Sequence, residues 1–370
     1  MTLTEQLKSA YSKEPFSARE AQEWAHVYSF GPVVFQVARL LIKYGILSLL
    51  SEAEDGLTEA EIASKTGLSR YATKCLLESA LTMHVVLINP ETDRYRLAKT
   101  GWFLLNDAMI RADINFNHDV NYVGWFDLDK ALETGTPAGL KHFGEWPTIY
   151  EGLSSLPEQV QRSWFGFDHY YSDHSFDEAL AIFGERLSVI GERLRILDVG
   201  GNTGRFALKC VGYNPHLYVT VCDLPQQLEL MRKAVEGQPG AERIDAVSMN
   251  LLDRNQAFPT DKRYDVIWMS QFLDCFGEED IVSILSRAAK IMDRKSRLCI
   301  METLWDRQRY TPAAFCLTQT SLYFTALANG NSKMYNTDDM TRLIHEAGLQ
   351  IETIHDNIGQ GGHSIIICDV

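Results

Sequence analysis

An apolar run, Arg195-Ile196-Leu197-Asp198-Val199, breaks directly into Gly200-Gly201-Asn202-Thr203-Gly204 and then into a helical pattern from Arg205. Glycine tolerates positive φ and lets a ligand approach the backbone, and the exposed N–H groups of a helix start favour a carboxylate or phosphate. The chemistry indicated is nucleotide binding. A dinucleotide fingerprint, G-x-G-x-x-G counted from Gly200, would need glycine at 202 and 205, where the chain has Asn202 and Arg205, so a nicotinamide dinucleotide is disfavoured. Asp223 ends the next apolar run, where a carboxylate can accept hydrogen bonds from both hydroxyls of an adenine nucleoside's ribose. Asn250 ends the third, where its amide can address the adenine or merely make a turn.

A sheet must hold these residues in place. From Arg195 onward, apolar runs alternate with helical patterns, as in a doubly wound α/β sheet. Strands are expected near 195–199, 218–222, 244–249, 264–269, 297–301, 350–354 and 363–368. The last two, joined through Asn357-Ile358-Gly359-Gln360-Gly361-Gly362, should pair as an antiparallel hairpin at the sheet edge. Ahead of the sheet, residues 22–51 carry apolar positions at helical spacing, ending in Leu40-Leu41-Ile42 and Ile46-Leu47-Ser48-Leu49-Leu50. Thr58 and Glu61 form a capping-box pattern, Gly67 offers a stop, and Ser69 can cap a second helix through about Met83. Val85 to Ile88, the turn Asn89 to Asp93, and Tyr95-Arg96-Leu97 then complete a winged helix. Residues 102–185 read as a helical, aromatic-rich connector containing Trp125, Phe126, Trp146, Tyr150, Trp164, Phe165, Phe167, Tyr170 and Tyr171.

Composition narrows the partners. The 370 residues, 45% hydrophobic, suffice for more than one compact unit, and the boundaries are placed at 1–105, 106–185 and 186–370. With 35 Lys and Arg against 49 Asp and Glu, the net charge of −14 disfavours nucleic acid and anionic lipid and favours a small molecule. Seven dispersed cysteines with no C-x-x-C pair indicate neither a disulfide framework nor a zinc site, and they suit a reducing cytoplasm. Met1 to Glu14 has no apolar signal core, and no run approaches the ~18 apolar residues of a membrane span, so a soluble cytoplasmic protein is expected. The apolar helices at 31–51, with Leu40, Leu41 and Leu50, carry more surface than a small winged helix can bury, which calls for a second copy of the chain.

The glycine turn resembles the methyltransferase pattern acid-x-G-x-G-x-G, supplied by Asp198, Gly200, Asn202 in place of the middle glycine, and Gly204. Asparagine is a mild replacement, since it tolerates left-handed geometry. Over nearly its whole length the chain resembles the winged-helix O-methyltransferase family, which includes caffeate and hydroxyindole O-methyltransferases and bacterial polyketide-tailoring enzymes. Ile196 to Gly204 stand for the family's "DVGGGTG", Cys222-Asp223-Leu224-Pro225 for its "DLP", and Met249-Asn250-Leu251-Leu252 for its "GDFF". Leu273-Asp274-Cys275-Phe276-Gly277-Glu278-Glu279-Asp280 stands where the family has "LHDWSDED", Met301-Glu302 supplies the acid after the fifth strand, and Thr337 to Gly348 the late helix.

The resemblance implies a class I methyltransferase domain with S-adenosylmethionine as cofactor and S-adenosylhomocysteine as product, no metal, and a homodimer formed through the N-terminal domain. The acceptor, a small aromatic or polyketide-like hydroxyl compound, would lie between the α/β domain and the connector. Cofactor contacts are expected from Asp198, Gly200, Gly201, Asn202, Gly204, Asp223, Leu224, Asn250, Leu251, Ser270 and Gln271. Ser270 stands where a cofactor-contacting lysine is common, and Asp274 replaces the catalytic histidine. Methyl transfer from a sulfonium is an in-line displacement aided by positioning, and a phenol, with a pKa of about 10, also gains from a base. Asp274 is the positional candidate, with Glu302 near it, although Asp274 could instead cap the following turn. His169, His174 and His363 are reserves. Trp268, Phe272 and Phe315 are expected at the acceptor pocket.

Two other readings compete. Winged helices often read DNA, so a cofactor-sensing regulator is conceivable; yet residues 52–101 hold eight acids and six bases, and the second helix offers only Arg70 and Lys74 against Glu78. Loss of the histidine could also signal a family member with chemistry other than O-methylation, such as an N- or C-acceptor, or an inactive scaffold.

Overall fold

Apolar runs that are buried on both faces need helices above and below them, and this requirement organises the C-terminal part of the chain. The computed structural model describes residues 8–9, 11–184 and 193–370. Seven strands form one sheet: β3 (Leu194–Val199), β4 (Leu217–Asp223), β5 (Ile244–Ser248), β6 (Val266–Ser270), β7 (Arg297–Glu302), β8 (Gln350–Ile358) and β9 (His363–Asp369). Their order is β5-β4-β3-β6-β7-β9-β8. The first five run parallel, while β9 pairs antiparallel with both β7 and β8, as the expected edge hairpin.

Strands β3, β4, β6, β7 and β9 alternate between two cores. Along β6, Ile267 and Met269 pack with Ile281, Ile284 and Leu285 of the helix Glu278–Ala289 and with Met340, Leu343 and Ile344 of the helix Thr337–Glu346. Val266 and Trp268 face the other way, toward Phe206, Ala207 and Cys210 of the helix Arg205–Tyr213 and Leu228 and Met231 of the helix Pro225–Val235. The chain winds outward from β3 in both directions, so β3 and β6 flank the topological switch point, where open α/β sheets bind ligands. The register pairs Val199 with Cys222 and Met269, and Ser270 with Met301. The carboxyl ends of β3, β4, β6 and β7 therefore meet at one edge.

The chain divides into two compact units, 8–118 and 119–370. Residues 106–118 of the expected connector thus belong with the N-terminal unit and 119–184 with the sheet; the expected boundary at 185/186 lies outside the described residues. The N-terminal unit is helical with a two-stranded wing, β1 (Val86–Ile88) and β2 (Tyr95–Leu97). The capping box forms as expected: Thr58 N–H donates to Glu61 Oε2 at 2.7 Å, and Glu61 N–H donates back to Thr58 Oγ1 at 3.3 Å. Among the described residues no single helix is long and apolar enough to cross a membrane.

The apolar stretch at 31–51 departs from expectation in part: Leu40 is half-buried, and Val33 and Tyr44 are exposed. Leu41, Ile46, Leu47 and Leu50 are buried inside the unit, against Ile62, Leu77 and Val86, and so do not call for a partner. The apolar surface left open lies on the helix Ala18–Ser29 and at the start of the stretch itself, on the helix Gly31–Lys43, where Trp24, Val27, Tyr28, Phe30 and Val33 are exposed. The first of these helices buries no residue, and its apolar stripe stays open among the described residues.

Arg287 ties the loop after β5 to the sheet's helical layer. Its guanidinium donates to the backbone carbonyls of Leu251, Asp253 and Gln256, three groups that a loop would otherwise leave unsatisfied inside the protein. Arg287→Leu should therefore cost about 2–4 kcal/mol of stability in urea denaturation, whereas an exposed residue of the same helix such as Glu279→Gln should stay within about 0.5 kcal/mol.

Candidate active site

Gly200 follows β3 at φ +75°, and a Cβ built there would stand 2.2 Å from the ring of Phe272. Only glycine fits, so the turn after β3 and the turn after β6 lie against each other. Asn202 takes the left-handed region at φ 48°, as its side chain permits, and Gln271 does the same at φ 44°. Non-glycine residues in this region are locally strained and are retained where the surroundings fix them. The N–H of Gln271 is fixed by Met301 O at 2.8 Å, and that of Gly200 by Cys222 O at 2.8 Å.

Asp223 closes the turn from the side. Its Oδ2 accepts the N–H of Asn202 at 2.9 Å and its Oδ1 that of Leu224 at 2.7 Å, leaving one lone pair on each oxygen for a ligand. Burial lifts its carboxyl to about 6 despite these two bonds. Asp198 is more deeply enclosed: burial, and then the charge of Asp223, push it up to about 8. Along this edge Asp198 Oδ2, Asn202 Oδ1, Thr203 Oγ1, Ser270 Oγ, Gln271 Oε1 and Glu302 Oε2 are buried without a hydrogen-bond partner. So many open polar atoms on one edge fit a polar ligand that would satisfy them. Gly201, Gly204 and Leu224 stand in the same turns.

The fourth contributor is a short 3-10 turn, Leu273–Cys275, after β6. Glu302, at the end of β7 and 2% exposed, receives the N–H groups of Phe272 at 3.0 Å and Leu273 at 2.8 Å on its Oε1. Burial, and next the negative charge of Asp274, hold its carboxyl well above the usual range. Asp274 is itself buried, touched by the Cys275 thiol at 3.5 Å, and burial lifts it to about 6. It lies in the turn itself and caps no helix: the helix Glu278–Ala289 has Gly277 at its N-cap.

Other expected residues stand elsewhere. Trp268, expected at the acceptor pocket, is fully buried and stacked on Phe206 with ring centroids 4.7 Å apart, because strand alternation turns it into the core. Phe315 is 58% exposed on the helix Thr311–Tyr323 and faces outward. Phe272 does line the turn, edge-on to Phe276 and against Gly200. Asn250 is exposed, and its Oδ1 accepts the N–H of Leu252 at 3.0 Å, which is the turn role; the Leu251 side chain is in the core. Among the reserve histidines, His363 is buried against Ser175 at 2.9 Å and held down at about 4, and His174 bonds the carbonyl of Tyr170.

Sequence reasoning missed Asp168. It lies on the helix Glu158–Asp173, and its Oδ2 accepts the Asn202 amide at 3.2 Å. Burial, and then the charges of Asp274 and Asp173, raise it to about 7. The available signal was its position four residues after Trp164, which places a carboxylate on the helix face that carries a buried ring.

Residues 22–95 match the Dimerisation2-like domain and residues 175–350 the O-methyltransferase domain. L-tyrosine C(3)-methyltransferase of Streptomyces lavendulae is 23% identical over 344 residues, 91% of this chain and 90% of that protein. The mitomycin 7-O-methyltransferase MmcR has a similar structure, with a TM-score of 0.69, 19% identity and coverage of 95% of this chain and 98% of that one. The apo S-adenosylmethionine-dependent methyltransferase SibL gives a TM-score of 0.68 at 23% identity, covering 93% and 97%. The two matched domains, in the expected order and covering more than half of the length, fit the glycine turn, the seven-stranded sheet and the winged helix, and the chain belongs to the winged-helix family of S-adenosylmethionine-dependent O-methyltransferases.

Proposed function

We propose that this protein methylates a small aromatic or polyketide-like hydroxyl compound, with Asp274 as the base that removes the hydroxyl proton. One observation carries the assignment: burial lifts the Asp274 carboxyl to about 6, close to the imidazole value of about 6.5. A carboxylate in water is a poor base for a phenol, but one enclosed here approaches the strength of the histidine it replaces. S-adenosylmethionine, when bound, supplies a methyl group on a positively charged sulfur. That methyl would pass to the acceptor oxygen with S-adenosylhomocysteine as the leaving group, and Asp274 would take the hydroxyl proton.

The remaining residues bind and orient. Asp223, with two free lone pairs at the end of β4, suits the ribose hydroxyls, and Gly200 leaves room where a side chain would stand. Asp198, Asn202, Ser270 and Gln271 offer the unpartnered polar atoms. Glu302 acts as a positioning residue, since its Oε1 holds the two N–H groups that precede Asp274. The similarity to an L-tyrosine C(3)-methyltransferase favours a second reading of the acceptor atom. A base that generates a phenolate activates the ring carbon beside the oxygen as well as the oxygen itself, so the same carboxylate serves either product. A DNA-binding role has less support: Arg70 of the second helix pairs with Glu59 at 3.2 Å and Lys74 with Glu78 at 3.8 Å, which leaves little charge for phosphates. The open apolar stripe around Trp24, Tyr28, Phe30 and Val33 suits a second copy of the chain.

Calorimetry with S-adenosylhomocysteine should show binding in preference to NADH, and Asp223→Ala should weaken it by about 1.5–3 kcal/mol, the worth of a hydrogen bond to a charged group. Binding of NADH alone would refute the cofactor assignment. With saturating cofactor and an acceptor found by screening phenols, turnover should rise with pH through about 6 or somewhat below, as Asp274 loses its proton and the positively charged sulfur of the bound cofactor favours the carboxylate. Asp274→Asn should abolish that limb and lower turnover by ~10²–10⁴-fold, and proton NMR of the product, which separates a methoxy from an aryl-methyl signal, decides between oxygen and carbon. Light scattering should give twice the chain mass, and Tyr28→Asp with Val33→Asp should shift it to the monomer; an unchanged mass would place the interface elsewhere.

A further inference from the structure

A buried hydroxyl with no partner costs free energy, and beside a reactive group it is a place for a ligand atom. Tyr150 carries one. It lies on the short helix Ile149–Gly152, whose start is fixed by the Thr148 N–H donating to Glu151 Oε2 at 3.0 Å. The residue is half-buried, but its hydroxyl oxygen is closed to solvent and has no hydrogen-bond partner among the described residues. This helix packs on the π-helical turn Phe324–Ala328, and the next residue, Asn329, donates its side-chain amide to the carbonyl of Cys275 at 2.5 Å. The turn that carries Asp274 is thereby brought to Tyr150.

The groups around the hydroxyl are Cys275, Tyr323 and Asp274. The Cys275 thiol, a weak hydrogen-bonding group, does not meet it with good geometry and instead contacts Asp274 Oδ1 at 3.5 Å, while the Tyr323 oxygen accepts Trp164 Nε1 at 2.7 Å. Burial, and then Cys275 and Tyr323, push the Tyr150 hydroxyl well above the usual phenol value, and the charge of Asp274 adds to this. Tyr150 therefore keeps its proton and is available as a donor, whereas an ionised Asp274 only accepts. A donor and an acceptor near each other complement a ligand hydroxyl, which is both.

We propose that the Tyr150 O–H binds the hydroxyl oxygen of the methyl acceptor, as the donor that works alongside Asp274. The acceptor's own O–H is given to the carboxylate, and one lone pair of its oxygen takes the Tyr150 hydrogen. When the acceptor proton passes to Asp274, Tyr150 keeps its own, and its hydrogen bond strengthens on the negative oxygen left behind. The inference rests on the reading of Asp274 as the base for an aromatic hydroxyl compound.

The test uses Tyr150→Phe, which deletes the oxygen and keeps the ring, and two probes of matched shape, 2-naphthol and 2-methylnaphthalene, titrated with S-adenosylhomocysteine bound. The wild type should prefer the naphthol by about 10-fold or more. Tyr150→Phe should lower naphthol affinity by about 3- to 10-fold and bind 2-methylnaphthalene as well as before or better. It should also unfold in urea at or above the wild-type midpoint, because the group removed had no partner. Turnover on a phenol found by screening should fall by about 10- to 100-fold, while the rise with pH set by Asp274 persists. A lower urea midpoint would show that the fold itself holds the hydroxyl. That result, an equal loss on both probes, or naphthol affinity within about twofold of wild type overturns the inference and leaves the reading of Asp274 standing. Equal binding of the two probes by the wild type, or failure of 2-naphthol to bind, overturns the aromatic-hydroxyl reading together with the inference.

Discussion

Glu302 carries a carboxylate into a nearly dry interior and satisfies it with the N–H groups of Phe272 and Leu273. Such an arrangement is tolerable only while both donors are in place, since losing them would leave a buried acid with too few partners. The strap fixes the backbone after β6, and that backbone in turn positions the side chains it carries. Phe272 lands against Gly200, and Asp274 is held inside the protein within a single turn of chain. The sheet register brings β6 and β7 to end side by side, with Ser270 opposite Met301, so the strap spans neighbouring strands. Topology and electrostatics cooperate at one edge.

The same edge collects Asp168, Asp198, Asp223, Asp274 and Glu302, each raised above the ordinary carboxylate range mainly by burial. Without a ligand, this concentration of acid is a liability for the fold. Above their folded values these groups must ionise in the native state at a cost that the unfolded chain does not bear, so they subtract stability as pH rises from about 4 toward 8. A site that is uncomfortable when ionised and alone gains when a positively charged ligand arrives, and binding and stability are thereby linked.

Much of this arrangement is legible in the chain. Strands alternate or run apolar with sharp glycine ends, so the residue pattern locates all seven within a few positions and marks Asp223 as the residue ending β4. The Thr58–Glu61 box and the Ser69 cap are local hydrogen-bond chemistry, which is why they too are readable. Facing and long-range contact are harder. Trp268 sits in a strand whose neighbours are apolar on both sides, so nothing local says which core receives it. Phe315 is expected at the pocket only by analogy with a family helix, and analogy does not determine orientation. Asp168 meets Asn202 across 34 positions of chain, a contact made by tertiary packing alone. The apolar stretch at 31–51 is sticky, as its composition implies, but Leu41, Ile46, Leu47 and Leu50 find partners within their own unit, and the open stripe begins earlier, at Trp24, and reaches the stretch only at Val33.

The contact between Gly200 and Phe272 has an evolutionary reading. A Cβ at 200 would overlap the ring, and a smaller side chain at 272 would leave a gap beside the glycine turn. Neither position can drift by itself without strain or a void, so exchange at one should be accompanied by exchange at the other, a coupling expected of residues that share one space. Across homologues the two columns should covary. The glycine turn and the turn carrying Asp274 would then be inherited together, as two halves of one steric lock, while the acceptor side of the protein remains free to diversify.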